Sequence, residues 1–484
     1  MASLCLVLLL LLGLWALWGW LWGAPGAHSP APRWPPGPRP LPLIGNLHLL
    51  RVTQQDRSLL ELSQRYGPVF TVHLGPQRTV VLAGYKAVHE ALLTTGHKLA
   101  DRPPIAIFQR IQGGAGVFFS SGPHWRAARR LTVSTLQHLG VGRGLGAHKV
   151  LTELGYLSEL LDSYGGRPFP LRLLGWAPSN VTFALLFGRR FDYSDPVFMS
   201  LLDLIDDVMT LLGSPALQLF NIYPRLGALL QLHRPLLRKI EQVRAILRAS
   251  LQARPAPDSV NSYMDALILK GQEGDPEGKF SEADMVACAL DMVMAGTETT
   301  AATLQWAALL MCKHPEVQGR VQDELDRVLG AGRLPCLEDQ PSLPYTNAVL
   351  HEVQRFITLL PHVPRCTATD TELGGYLLPK GTPVIPLLSS VLLDKTQWAT
   401  PDCFNPSHFL DTRGCFIRRA AFLPFSAGRR VCVGESLARA ELFLLFAGLL
   451  QRYHLRPISL DMDPAPAFTM RPPAQALCAE PRGR

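Results

Sequence analysis

From residue 46 onward the apolar side chains recur mostly every three to four positions, the period of a helix with one buried face. That period predicts helices over roughly 85–95, 124–137, 147–162, 177–187, 197–213, 229–252, 282–313, 315–329, 345–357 and 435–452. Two-residue alternation over about 69–74 and 79–82, around Gly75-Pro76, predicts a hairpin, and short strand signals recur over about 376–387. The Gly/Pro-rich stretches near 253–280 and 330–344 read as surface connections. The expected fold class is mainly α with a small β portion (α+β), a single large helical domain over 46–484.

The start of the chain has a different pattern. Residues 2–24 carry no charge, are rich in Leu and Trp, and are long enough to cross a bilayer as a helix. No basic segment precedes them and the run is long for a signal peptide, so the expectation is an uncleaved single-pass anchor. Trp15, Trp18, Trp20 and Trp22 would set indoles at the distal interface. Basic residues follow the span (Arg33, Arg39, Arg51) and none precedes it, which puts the large domain on the cytosolic side. The alternative is an inverted, lumenal form, in which the sequon Asn180-Val181-Thr182 would carry a glycan. Residues 25–45 include Pro35-Pro36-Gly37-Pro38, a stiff extended stretch that reads as a hinge.

The formal net charge of +8 is spread along the chain instead of forming a basic run, which excludes nucleic acid as the expected partner. The nine cysteines form no C-x-x-C pair, and their odd number and scatter argue for a reducing compartment over a disulfide framework. Only Cys432 sits in a context that suggests chemistry. It lies in Phe425-Ser426-Ala427-Gly428-Arg429-Arg430-Val431-Cys432-Val433-Gly434, just before a helical run. A helix start favours thiolate over thiol, and a thiolate can ligate iron. Gly428 and Gly434 would permit a tight turn close to a flat ligand, and Arg430 offers a guanidinium fork to a carboxylate.

Inside the long helix over 282–313 runs Ala295-Gly296-Thr297-Glu298-Thr299-Thr300. A mid-helix glycine costs about 1 kcal/mol relative to alanine, and close approach of a ligand would justify it. The Thr299 hydroxyl can bond the Ala295 carbonyl and open a notch beside Gly296, with Glu298 as an acid next to it. Trp125 and Arg129 stand four apart on one helix face, and Glu352 and Arg355 three apart on another.

The pattern F-x-x-G-x-R-x-C-x-G resembles the haem-binding loop of the cytochrome P450 superfamily, the haem-thiolate monooxygenases. The Glu298-Thr299 pair resembles that family's acid–alcohol motif, and Glu352-Val353-Gln354-Arg355 its E-x-x-R pair, with His408 in Pro406-Ser407-His408-Phe409 where a locking arginine is common. That third contact is therefore expected to be weaker or pH-sensitive. Pro35-Pro36-Gly37-Pro38, Phe191-Asp192-Tyr193 and Pro379-Lys380-Gly381-Thr382 are similar to microsomal family 2, and within it to subfamily W.

The resemblance implies haem b (iron protoporphyrin IX) with Cys432 as proximal thiolate, cradled by Phe425, Gly428, Gly434, Ala295 and Gly296. It implies Trp125, Arg129, Arg365 and Arg430 as propionate donors, and Thr299 and Glu298 as the proton-handling pair. The activity implied is insertion of one atom of O₂ into a lipophilic molecule: a lipid, retinoid, steroid, indole or foreign compound. Electrons would come from NADPH through a flavoprotein reductase, with cytochrome b5 as a second donor, at the endoplasmic reticulum membrane. Ile105, Phe108, Val117, Phe118, Leu359, Leu360, Val363 and Phe468 would line an apolar pocket, with Asp291 a structural partner at its wall. Two rivals stay open: a haem-thiolate isomerase, against which the Glu298-Thr299 pair counts, and a haem sensor or carrier, which would need no proton relay.

Overall fold

A computed structural model describes residues 13, 34–52, 54–141, 144–254, 258–272, 280–330 and 332–483. The expected anchor over 2–24, apart from Gly13, and the first part of the hinge fall outside the described residues. Among the described residues no helix is long and apolar enough to cross a membrane. The chain divides into two compact units, one of Met1–Pro103 with Val363–Leu387 and one of Pro104–His362 with Leu388–Arg484.

The smaller unit carries the sheet. Helix α1 (Gln55–Tyr66) leads to β1 (Val69–Leu74) and β2 (Gln77–Leu82), the expected hairpin, followed by α2 (Tyr85–His89) and a π turn over Glu90–Thr94. Strands β4 (Arg365–Cys366), β5 (Thr371–Leu373), β6 (Tyr376–Leu378) and β7 (Pro383–Pro386) complete it. The four-stranded sheet runs β1-β2-β7-β4; β7 is parallel to β2 and antiparallel to β4, and β5 pairs with β6. Phe70, Val72, Val81, Ile385 and Leu387 close its core with Leu59 of α1. The proline-rich stretch, where described, is packed down on this sheet. The Thr71 N–H donates to Pro36 O at 2.8 Å and its hydroxyl to Pro35 O at 2.9 Å. A Cβ on Gly37 would lie 2.0 Å from the Thr71 carbonyl oxygen, so only glycine fits there. Arg365 is buried in β4, paired in register with Val384, and Val363 opens the second segment of this unit.

The larger unit holds the short strand β3 (Phe169–Pro170), which pairs with β9 (Ala476–Pro481), itself paired with β8 (Tyr453–Pro457). Its helices are α3 (Ala106–Gln112), α4 (Gly122–His138), α5 (Gly144–Ser163), α6 (Trp176–Phe187), α7 (Pro196–Leu212), α8 (Pro215–Ile222), α9 (Pro224–Leu229), α10 (Arg234–Gln252), α11 (Tyr263–Gln272), α12 (Glu282–Lys313), α13 (Pro315–Leu329), α14 (Pro344–Ile357), α15 (Leu388–Leu392) and α16 (Glu435–Arg452). Helix α12 is the spine. Its N-terminal half, with Leu290 and Val293, belongs to one apolar cluster with α6, α7 and α10. Its C-terminal half, with Leu304 and Leu309, belongs to a second with α5, α13, α14 and α16. A capping box of Ser281 and Asp284 starts it.

Two expectations from the sequence are corrected. The helix expected over 229–252 starts only at Arg234, as α10, after a turn that follows α9 and in which Gln231 takes φ 58°; Pro235 stands in its first turn. The stretch 253–280 is more than a surface connection, because α11 buries Tyr263, Met264 and Leu267 within it.

Behind α14 the polar groups are tightly specified. Glu352 and Arg355 are fully buried and paired twice, at 2.7 and 2.8 Å. The remaining Arg355 donors go to the carbonyls of Leu392, Pro401 and Cys403, and the Asn405 N–H donates to Glu352 at 2.8 Å. His408 does reach Glu352, its Nδ1 lying 3.2 and 3.3 Å from the carboxylate oxygens, longer than the Arg355 bonds. Its Nε2 accepts the Thr400 N–H at 3.2 Å, which leaves Nδ1 as the nitrogen that donates toward Glu352. That geometry makes it a weaker clamp than Arg355.

A pH-sensitive group stands beside it on α14, His351. Nδ1 donates to Asn347 O at 2.8 Å, Nε2 accepts from Arg439 at 3.0 Å, and the ring packs on Phe409, Phe416 and Phe422. Burial, helped by the charges of Arg439 and Arg418, pushes its pKa down from 6.5 to about 4. The unfolded chain therefore binds the extra proton between those two values, so stability rises with pH across that window and is lost as pH falls through it. The loss should approach about 3 kcal/mol by pH 4. Urea unfolding from pH 7 to 4 checks this: His351→Phe should flatten the profile, and an unchanged profile would clear His351 of the role.

Candidate active site

The loop before α16 is held in shape by its own backbone. Ser426 and Gly428 take φ of 61° and 71°, a 3-10 turn runs Gly428–Arg430, and the Cys432 N–H closes the loop on Phe425 O at 3.1 Å. Gly434 has φ −92°, a conformation open to any residue, so of the two glycines only Gly428 is required by the turn. Cys432 keeps exposed surface while protein packs closely around its sulfur. That enclosure pushes the thiol up; the N–H groups of Gly434 and Glu435 and the charge of Arg129 oppose the rise without reversing it. A cation bound to the sulfur would favour the thiolate.

Helix α4 is tied to this loop. Arg129 donates to Val431 O at 2.7 Å. Arg430 stacks over the Trp125 ring with its guanidinium carbon 3.9 Å from the centroid, and donates to Ser120 O and, at longer range, to the carbonyls of Val117 and Phe118. Both arginines are thus engaged with main-chain oxygens. Trp125 Nε1 is different: it is buried, has no hydrogen-bond partner among the described residues, and lies under one guanidinium with a second 5.9 Å from its ring. An orphaned buried N–H in a positive setting fits an anionic group such as a carboxylate, so these residues suit a haem propionate.

On α12 the Thr299 hydroxyl donates to Ala295 O at 2.9 Å and Thr303 repeats the pattern onto Thr299 O at 2.8 Å. Gly296 lies against a neighbouring helix. A Cβ there would lie 2.7 Å from Thr182 of α6, so this glycine permits close packing of two helices. Glu298, next in sequence to Thr299, points elsewhere: its Oε1 accepts the Thr469 hydroxyl at 2.7 Å. Burial raises its pKa, with Thr469 and Arg471 acting against the rise and Asp206 adding to it.

A cavity of about 110 Å³, almost wholly apolar, lies against α12. Of the expected residues it is lined by Phe108, Phe118, Leu360 and Phe468, together with Ala295 and Thr299; Ile105, Val117 and Leu359 are not in its wall. Phe108 stacks on Phe119 and meets Phe468 edge-on. The sequence reading missed Val208, Met209 and Leu212 of α7, Ile240 of α10 and Thr469. The helical apolar stripe of α7 was legible, but nothing in it separates a pocket face from a core face. Asp291 is the structural partner expected: its carboxylate accepts from Gln112 Nε2 and from the N–H groups of Val117 and Phe118, at 2.7, 2.6 and 3.0 Å. Among the described residues no cluster of three His, Cys, Asp or Glu could hold a metal ion.

Comparison with known proteins agrees with this arrangement. The cytochrome P450 family model matches residues 35–479. The chain is 74% identical to human cytochrome P450 2W1 over 99% of both chains, and 69% identical to mouse cytochrome P450 2W1 over 98% of this chain and 99% of that one. Zebrafish cytochrome P450 2K6 is 41% identical over 91% of this chain and 90% of its own. The chain belongs to the cytochrome P450 family, and the resemblance to family 2 and its subfamily W holds. As a family member it is a haem-thiolate monooxygenase, using cysteine-ligated haem b, O₂ and NADPH-derived electrons, with a redox partner and a lipophilic substrate.

Proposed function

We propose that Cys432 is the thiolate ligand, that Trp125 Nε1 with Arg129 and Arg430 meets a propionate, and that Thr299 and Glu298 handle protons for oxidation of an uncharged lipophilic compound. The buried, unpartnered Trp125 N–H, fixed beside the Cys432 loop by the Arg129–Val431 bond, carries this reading. Haem, when bound, supplies O₂ activation, favoured by electron donation from a thiolate.

The chain's own residues do the rest. The N–H groups of Gly434 and Glu435 and the Arg129 charge stabilise negative charge on Cys432 Sγ. Thr299 spends its hydroxyl proton on Ala295 O, leaving oxygen lone pairs to hold a water in the cavity. The apolar wall excludes bulk water, and the Asp291 carboxylate is engaged with Gln112 and the N–H groups of Val117 and Phe118. That favours substrates held by shape and apolar contact: a lipid, retinoid, steroid, indole or foreign compound.

The electron donor in this reading is an NADPH-dependent flavoprotein reductase, with cytochrome b5 as a second donor. Exposed Arg126 and Arg130 on α4, and Arg429 beside the Cys432 loop, would dock its acidic face. The site is the endoplasmic reticulum membrane, with 2–24 as anchor and 25–45 as hinge to a cytosolic domain over 46–484.

The test is reconstitution with reductase in lipid vesicles. A red-shifted reduced-carbon-monoxide band and NADPH consumption stimulated by a lipophilic substrate are expected, with Thr299→Ala keeping the band but diverting NADPH to peroxide. Peroxide rearrangement without NADPH would favour an isomerase instead, and a stable band with no NADPH consumption would favour a carrier.

A further inference from the structure

The acid and the cavity do not touch directly. Glu298 is not in the cavity wall, whereas Thr299 and Thr469 both are. Thr469, itself buried, is bonded to the Glu298 carboxyl. It is therefore the polar side chain that touches the acid on one side and the cavity on the other.

Its position is over-determined by the segment that carries it. The Phe468 N–H donates to Met209 O of α7 at 2.9 Å, and the Met470 N–H to Leu359 O at 2.9 Å. Trp306 Nε1 of α12 donates to Met470 O at 2.6 Å, and Arg471 pairs with Asp206 and bonds the Thr210 hydroxyl on α7. A Cβ on Gly213 would meet the Ala467 backbone at 2.4 Å, so the α7 end is pressed against the same segment. Four anchors flank one hydroxyl. The charged groups around the acid are Arg471 from this segment and Asp206 from α7.

We propose that Thr469 is a positioning residue that fixes the Glu298 carboxyl and links its proton to the cavity holding Thr299. This rests on the reading of Glu298 as the proton source. The link is a hydroxyl relay: when Glu298 is protonated the bond reverses, its O–H donating to Thr469 Oγ1 and the Thr469 hydroxyl turning to a cavity water, so that the Glu298 proton passes to Oγ1 while the hydroxyl proton passes to the water. Glu298 is left as carboxylate and regains a proton from solvent between turnovers. Because Phe468 and Thr469 are adjacent and share anchors on α7, a substrate seated on Phe468 bears on the same strap that positions the acid.

The experiment is an infrared pH titration of the holoprotein, in which the Glu298 carboxyl stretch is assigned by its loss in Glu298→Gln. Thr469→Val, nearly isosteric, should raise the titration midpoint, since a hydrogen bond to the charged form is removed. It should also lower product formed per NADPH about tenfold, the worth of one hydrogen bond to a charged group. Thr469→Ser should restore both. A Val variant that leaves band and midpoint unchanged, or a Ser variant that fails to rescue, would overturn the proposal. The reduced-carbon-monoxide spectrum should be the same in all variants. Its absence in the native protein would sink the monooxygenase reading instead, while the infrared titration would still report the Thr469–Glu298 bond.

Discussion

Cys432→Ala is expected to give a folded chain without the red-shifted reduced-carbon-monoxide band and with turnover at background. The sulfur packs no core cluster, and its loss leaves the Gly434 and Glu435 N–H groups short of one acceptor, a cost of about 1–3 kcal/mol. The chemistry loses much more. On the proposed reading the side chain held by this loop is the electron donor that favours O–O cleavage, and among the described residues no other cysteine shares its surroundings. Cys288, Cys312 and Cys366 are buried with thiols pushed well up, Cys288 past the range of useful acidity and the others to about 12 and about 11. Cys403 and Cys415 are exposed without a comparable cradle. Spectra of Cys432→Ala beside the native protein decide the matter. A retained band would mean that the ligand is elsewhere.

Glu352→Ala should be worse for the fold than for the chemistry. It strands a fully buried guanidinium whose other donors are spent on the Leu392, Pro401 and Cys403 carbonyls. Removing one partner of such a pair costs about 3–5 kcal/mol, a large part of a typical stability of 5–15 kcal/mol. His408→Ala removes the longer contact to Glu352 and the acceptor of the Thr400 N–H, strands no buried charge, and should cost less, about 1–2 kcal/mol. Denaturant unfolding of the three proteins checks the order. Equal losses for the two variants would mean that His408 carries as much of the cluster as Arg355.

The long helices were legible because each combines length with one apolar period: α12, α13 and α16 were readable to within a residue or two. Short helices were not. A six- to eight-residue segment such as α3, α8 or α9 spans too few turns for a period to stand out, and tertiary packing decides it. The Cys432 loop was legible as a motif, but the balance of forces on its sulfur was not, because desolvation depends on what folds around it. Glu298 illustrates the limit most clearly. Sequence adjacency to Thr299 suggested a shared site, yet neighbours on a helix point about 100° apart. The partner of the acid lies 171 residues away, in a segment that sequence pattern does not connect to it.

Asn180 has no exposed surface, and its side-chain nitrogen donates to Phe191 O at 2.7 Å and to Glu153, while its oxygen accepts the Phe191 N–H. In a folded chain that nitrogen is already committed, so a transferase and the closing of this corner compete for the same atom. Sugar on Asn180 would be a timestamp: it would mark a molecule whose α6 was still undocked when it met the glycosylation machinery. Occupancy at this sequon therefore measures the order of synthesis, translocation and folding, and says nothing about surface access in the finished protein.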